Sequence, residues 1–334
     1  MEEMQWRRDW RQWSASFPGT TPPPPHPTYD VYSAIDAALA EDAGGLGDLT
    51  AASTVPAATR ATATFVAKAS GVAAGVWVAT AVCKRVDPSI ELSWNVCDGS
   101  AVRDREVLGR ASGPARSILV AERVALNFMQ RAGGIASAAR EMVEAVRGTE
   151  TVVLDTRKTV PGLRLLDKWA VAAGGAQNHR MGLYDMLMIK DNHVDAGGGI
   201  PQAVAAAQRE LGPRGLGHLP LEVETRTLEE VRQVAALWDE QQRMGEAAPG
   251  PRVTRVMLDN MTKKKADGTL DTSMLSQAME LLGNRVQDLE TEASGNVTLA
   301  TVRQIAETGV KFISCGSLTH SVTALDISLV IETL

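Results

Sequence analysis

The sequence predicts an α/β protein whose larger part is a barrel of parallel strands, and three observations predict it. Between Val152 and Cys315 short apolar runs alternate with stretches of helical spacing, the order that βα crossovers impose on a parallel sheet. Six or seven such units are enough for a sheet to close on itself. The runs also end in polar or charged residues in nearly every case, and a parallel barrel keeps its active site at the carboxyl ends of its strands.

Composition sets the outer limits. A chain of 334 residues has room for two or three domains, and 44% hydrophobic content supplies a sizeable core. The formal net charge of -6 argues against nucleic acid as the main partner, so any phosphate binding must be local. Cys83, Cys97 and Cys315 form an odd, sparse set with no CxxC and no zinc spacing, which points to a reducing compartment. No apolar run reaches membrane-spanning length. Residues 1–28 stand apart. Met1–Trp13 is rich in Trp and Arg, and Phe17–Pro27 is a Pro/Thr linker containing Pro22-Pro23-Pro24-Pro25. The stretch is expected to be a disordered extension with no signal-peptide core.

The next hundred residues read differently from the barrel. Val31, Ile35, Ala38 and Leu39 share a helix face within Tyr29–Glu41, and Asp42–Asp48 is a Gly-rich loop. Ala61–Ala67, the region Ile90–Val96 and Val107–Arg110 read as strands, with a helix over Val76–Arg85 between them. This pattern of short strands and Gly turns also resembles biotinyl and lipoyl carrier domains. That rival makes Lys68 the modified residue, although Lys68 follows an apolar run and does not sit at a hairpin tip. Ile118–Val146 is a long helix, with Gly133-Gly134 as a point of possible interruption. On that helix Arg123, Asn127, Gln130 and Arg131 read equally as solvated surface or as a polar site or subunit contact.

In the barrel, strands are expected at Val152–Leu154, Met186–Ile189, Leu221–Val223, Val256–Leu258, Leu289–Ala293 and Phe312–Cys315. Helices are expected over Leu163–Ala173, Ile200–Leu211, Leu228–Trp238, Thr272–Leu281 and Leu299–Glu307. Gly245–Pro251 and Lys263–Gly268 read as loop insertions. The strand ends divide into two poles. Arg157, Lys158, His179, Arg180 and Lys190 are cationic, with Arg suited to bidentate carboxylate or phosphate contacts. Arg164 and Lys168 read as part of a solvated helix face. Glu224 and Asp259 form the acidic pole, suited to a hard cation such as Mg²⁺. Ser294-Gly295-Asn296-Val297 reads as a strand–helix turn offering backbone N–H groups to a phosphate. Each element alone is weak, but their joint placement at successive strand ends describes a site for a polyphosphate, a metal and a second anion.

Longer motifs extend this reading: AERVALNFMQRAGGIAS (121–137), DTRKTVPGLRLLDKWAV (155–171), GGAQNHRMGLYDMLMIKDNH (174–193), LEVETRTLEE (221–230), MLDNM (257–261), EASGNVTL (292–299) and SCGSLTHSVTALDISL (314–329). In this order and from about Val31 onward, the chain resembles the quinolinate phosphoribosyltransferase (decarboxylating) family, also called nicotinate-nucleotide pyrophosphorylase, most closely the plant-type members. The resemblance implies an N-terminal α/β sandwich over 29–133 with 319–334, and an open α/β barrel over 134–318. It implies conversion of quinolinate and phosphoribosyl pyrophosphate to nicotinate mononucleotide, pyrophosphate and CO2, with Mg²⁺ as cofactor. Arg157, His179 and Arg180 would surround the quinolinate carboxylates, and Lys158 and Lys190 would neutralise the donor phosphates. Glu224 and Asp259 would engage the ribose hydroxyls and Mg²⁺, while Ser294, Gly295, Asn296 and Gly316 would cradle the 5-phosphate. Arg123 would come from a neighbouring subunit, making a homodimer the smallest active unit. A cytoplasmic or plastid location is implied. The nearest enzymatic alternative is nicotinate phosphoribosyltransferase, which takes a monocarboxylate; the cations around His179-Arg180 favour the dicarboxylate.

Overall fold

The computed structural model describes His26 and residues 28–245, 250–266 and 269–334. The extension expected over 1–28 lies outside the described residues apart from His26 and Thr28, as do parts of both expected loop insertions. Contacts divide the chain into two compact units. Unit 1 holds residues 1–141, 158–178 and 317–334, and unit 2 holds residues 142–157 and 179–316.

Unit 1 is built on a four-stranded antiparallel sheet. Its strands are β1 (Arg60–Ala67), β2 (Glu91–Trp94), β3 (Val107–Pro114) and, from the end of the chain, β10 (Ile327–Thr333), in the order β10-β1-β3-β2. Ala61, Ala63, Phe65 and Ala67 of β1 are buried and alternate with less buried neighbours, the period-2 pattern of a strand with one core face. Helix α1 (Val31–Ala43) starts at Asp30, whose carboxylate accepts the backbone N–H groups of Tyr32 and Ser33, both at 3.1 Å. Helix α2 (Val76–Val86) starts after Gly75, held at φ 89° with the Met129 backbone against it. The buried Asp98 carboxylate accepts the Val76 N–H at 2.9 Å and the Trp77 N–H at 3.4 Å. Helix α3 (Ala115–Ala145) runs unbroken through Gly133-Gly134. The two glycines serve close approach, because a Cβ at Gly133 would strike Leu325 and one at Gly134 the backbone of Thr323.

Helix α4 (Arg164–Ala173) overturns one expectation. Lys168 is fully buried, as are Asp167 and Trp169, so this is an inner helix with no solvated lysine face. Arg131 of α3 explains part of that burial. It meets the Asp167 carboxylate with two hydrogen bonds of 2.8 Å and also donates to the Thr319 carbonyl at 3.1 Å. Arg131 is therefore a structural ion pair and not a solvated charge.

Unit 2 is an open α/β barrel. Its strands are β4 (Val152–Leu154), β5 (Leu187–Ile189), β6 (Leu221–Thr225), β7 (Val253–Asp259), β8 (Glu290–Ser294) and β9 (Phe312–Ser314), paired in the order β4-β9-β8-β7-β6-β5. Every pairing is parallel. The first strand in the chain thus lies beside the last, and β4 and β5 are not paired, which leaves the sheet open between them. All six strands fall on the apolar runs of the sequence. The connecting helices α5 (Asp191–Gly197), α6 (Ile200–Leu211), α7 (Leu228–Met244), α8 (Ser273–Leu282) and α9 (Val302–Ala306) also follow the pattern, except that α5 was not expected. Helix α7 begins with a reciprocal capping box between Thr227 and Glu230, legible in the sequence as Thr-Leu-Glu-Glu.

Candidate active site

The expected residues of unit 2 stand at the carboxyl ends of its strands. Glu224 lies near the end of β6, Asp259 closes β7 and Ser294 closes β8. Arg157 follows β4, Lys190 follows β5 and Gly316 follows β9. Because successive strand residues point to opposite faces, Glu222 and Glu224 share a face, as do Glu292 with Ser294, and Arg255 with Asp259.

The two carboxylates of the expected acidic pole share one guanidinium and are already charge-compensated. Glu224 and Asp259 are both buried. Lys190 Nζ donates to Glu224 Oε2 at 2.6 Å. Arg226 reaches Asp191 at 2.6 Å and lies 3.5 Å from both Glu224 and Asp259, so one guanidinium joins carboxylates of neighbouring strands. Arg226 is not among the residues expected at the site, although its place two residues beyond Glu224 at a strand end is a signal. A pair of hard carboxylate donors whose negative charge draws two cations fits a divalent ion such as Mg²⁺.

The cationic pole centres on Arg180, which is buried. Its Nη1 donates to the Met186 carbonyl at 3.1 Å, while its buried Nε has no hydrogen-bond partner among the described residues. Burial lowers its proton affinity, and the neighbouring Arg157 guanidinium lowers it further. Asp185 and Glu222 act in the opposite direction, and the two guanidinium groups together suit bidentate contact with an anion.

His179 is tied into the sheet more deeply than expected. Its backbone N–H donates to Asp155 Oδ1 at 2.8 Å, which links the segment entering β5 to the end of β4 across the open seam. Its Nε2 lies 3.1 Å from Glu222 Oε2 and 3.2 Å from Glu292 Oε2, both glutamates being fully buried. Behind them Arg255 donates to Glu292 at 2.9 Å and to Glu290 at 2.9 and 3.1 Å. Burial pulls the imidazole pKa down, but Glu292 and Glu222 outweigh it and raise it to about 9. Glu222 is itself raised by burial and by Glu292. Glu292 resists burial and is lowered to about 2 by His179 and Arg255. The His179 and Glu222 shifts concern one shared proton. The Arg180 backbone N–H donates to His179 Nδ1 at 2.6 Å, and a doubly protonated ring would set N–H against N–H there. Geometry therefore keeps the ring proton on Nε2, facing the glutamates. Glu222, Glu292 and Arg255 went unassigned in the sequence reading because charged residues inside apolar strands look like strand-end neighbours when burial is unknown.

The Ser294-Gly295-Asn296 turn differs from its expected form. Gly295 and Asn296 adopt φ 100° and 53°, and Asn260 after β7 adopts φ 55°. Asn260 N–H donates to the Ser294 carbonyl at 2.9 Å and its Nδ2 to Asp259 Oδ2 at 2.7 Å, coupling two strand ends. Helix α9 starts only at Val302, after a turn in which the Thr298 N–H is taken by Thr301 Oγ1 at 3.0 Å. The turn is thus a nest of left-handed backbone with no helix N-terminus behind it, and any phosphate contact comes from the turn itself.

Two expected residues belong to unit 1. Arg123 is exposed on α3. Lys158 is exposed and follows Arg157 directly in the chain, and its carbonyl accepts from Thr319 Oγ1 at 2.8 Å.

A family model described as "Quinolinate phosphoribosyl transferase, C-terminal domain" matches residues 135–330, and one described as the N-terminal domain of the same protein matches residues 48–133. The chain belongs to the quinolinate phosphoribosyltransferase family. The chloroplastic nicotinate-nucleotide pyrophosphorylase (carboxylating) of Arabidopsis thaliana is 51% identical over 313 residues, which is 93% of this chain and 85% of that protein. The corresponding chloroplastic protein of Oryza sativa subsp. japonica is 50% identical over 311 residues, 93% of this chain and 80% of that protein. The crystal structure of NadC from Streptococcus pyogenes superposes with a TM-score of 0.79 at 32% identity, covering 91% of this chain and 97% of that one. In this member of the quinolinate phosphoribosyltransferase family, every strand end of the barrel falls within the matched residues. The carrier reading of Lys68 has no support beside it.

Proposed function

We propose that the protein is a quinolinate phosphoribosyltransferase, converting quinolinate and phosphoribosyl pyrophosphate to nicotinate mononucleotide, pyrophosphate and CO2. The observation that carries the reading is the split site of the barrel. Arg157 and Arg180 are near enough for their charges to interact and offer two guanidinium groups to a dicarboxylate, while the Glu224–Asp259 pair stands at the neighbouring strand ends. The family match and the relatives named for this reaction support it.

The chemistry asks two things of these residues. Arg157 and Arg180 hold the pyridine dicarboxylate so that its ring nitrogen faces the anomeric carbon of the ribosyl donor. Lys158 and Lys190 stabilise the phosphates, so that the anomeric carbon–oxygen bond breaks with its electron pair going to pyrophosphate as the nitrogen–carbon bond forms. Loss of the ring's 2-carboxylate as CO2 then returns its bonding electrons to the pyridinium, and the carbon takes up a proton. Glu224 and Asp259 would hold Mg²⁺, which when bound supplies positive charge to the departing pyrophosphate. Ser294, Gly295, Asn296 and Gly316 would seat the 5-phosphate.

Arg123 would complete the quinolinate site from a neighbouring subunit, so the reading requires a homodimer or larger homo-oligomer. Neither nucleic acid nor a membrane has a role in it; no helix among the described residues is long and apolar enough to cross a membrane. A plastid location takes its support from the chloroplastic names of the rice and Arabidopsis relatives. Nicotinate phosphoribosyltransferase is the rival activity, and it leaves one of the two guanidinium groups without a carboxylate. Turnover of quinolinate with no turnover of nicotinate under the same conditions is expected; the reverse preference would reject the assignment.

A further inference from the structure

Below the strand ends lies a buried charged cluster of which only His179 is expected to reach the substrate. It comprises His179, Glu222 of β6, Glu292 of β8 and Arg255 of β7, the strand between them. Burying four ionisable groups is costly, and here their close approaches converge on one dipeptide. The His179 ring receives two carboxylate oxygens at its Nε2 and the Arg180 backbone N–H at its Nδ1. The His179 backbone N–H is taken by Asp155. His179-Arg180 is therefore gripped at the ring by β6 and β8, at the peptide by the ring itself, and at the amide by the end of β4.

Resting on the quinolinate reading of the Arg157–Arg180 pair, we propose that Glu222 and Glu292 are positioning residues that act through the His179 ring to set the Arg180 peptide, and with it the guanidinium that receives the acid substrate. Arg255 keeps Glu292 in place from behind and so shares the role at one remove.

Three groups of this kind could instead be taken for metal ligands, since His179, Glu222 and Glu292 offer donor atoms close together. The hydrogen bonds argue otherwise. Nδ1 already spends its lone pair on the Arg180 N–H, so the ring's proton occupies the Nε2 that a metal would need. Arg255 also donates to the same Glu292 oxygen that faces the ring. The two glutamates stand at ion-pair distance from the ring, and the cluster serves orientation.

The test compares Glu222→Gln and Glu292→Gln, near-isosteric changes that keep an acceptor oxygen, with the corresponding alanine variants. In each glutamine variant the KM for quinolinate should rise about tenfold while kcat and the KM for phosphoribosyl pyrophosphate stay within about threefold, since one misdirected hydrogen-bonded anchor is worth roughly that factor. The alanine variants should be worse in the same parameter. Selective ¹⁵N labelling supplies a readout independent of turnover: the His179 ring and the Arg180 amide signals should both move in each glutamine variant. Unchanged His179 and Arg180 signals, or a parallel loss in kcat and both KM values that follows a fall in Tm, would overturn the proposal. If the wild-type protein fails to turn over quinolinate, the functional reading fails, while the ¹⁵N comparison still decides whether the glutamates hold the ring.

Discussion

At Gly295 the backbone turns through φ 100°, and a methyl group there would meet the Asn260 side chain and stand 3.0 Å from its backbone nitrogen. Asn260 in turn donates to Asp259, so strain at the turn reaches the acidic pole. Gly295→Ala should introduce ~1–3 kcal/mol of local strain and raise the KM for phosphoribosyl pyrophosphate roughly tenfold, with a smaller effect on quinolinate. Steady-state kinetics in both substrates would reveal it, and an unchanged donor KM would separate the turn from phosphate binding. Residues such as Gly295, Glu224 and Asp259 were legible because strand ends in a parallel barrel are chemically marked. Arg226, Glu222 and Glu292 were not, because their roles depend on which strands become neighbours. Lys168 was misread for a related reason: helical spacing tells which residues share a face, and only the packed unit tells that every face of α4 is covered.

Among the elements, α2 carries a titratable cap. Asp98 accepts two N–H groups at its start, yet burial raises its pKa to about 7, against the opposing effect of those bonds. A carboxyl whose folded pKa lies above its unfolded value of 3.8 binds its proton more tightly in the native state. Its contribution to stability is therefore greatest at low pH and declines as pH rises from about 4 to about 7. Asp98→Asn keeps an acceptor and cannot ionise, so its Tm relative to wild type should improve between pH 5 and pH 8. Thermal unfolding across that range checks it, and a Tm difference independent of pH would contradict it. Strand positions in the barrel were readable because each short apolar run is flanked by charge. Helix α5 was not, since Asp191–Gly197 lacks an apolar face and is defined by its place after β5. Strand β10 was equally hidden: Ile327–Thr333 becomes a strand by pairing with β1, more than two hundred residues away in sequence.

For the whole molecule, the chain leaves the barrel after Arg157, contributes Lys158–Asn178 to unit 1 and returns at His179. Composition and periodicity foresaw neither this excursion nor the seam between β4 and β5, since both follow from three-dimensional pairing. The proposed assembly makes a prediction at this scale. Arg123→Ala and Lys158→Ala should each abolish turnover, and mixing the two inactive proteins under conditions of subunit exchange should restore part of it, up to about a quarter for random pairing in a dimer whose two sites act independently. Absence of any recovery, with exchange verified by mass, would place Arg123 outside a shared site.

The central claim concerns the dicarboxylate reaction. The most direct measurement follows quinolinate labelled in its 2-carboxylate together with phosphoribosyl pyrophosphate. One labelled CO2 and one pyrophosphate should appear for each nicotinate mononucleotide formed. Ribosylation of nicotinate with no CO2 released from quinolinate would contradict the account.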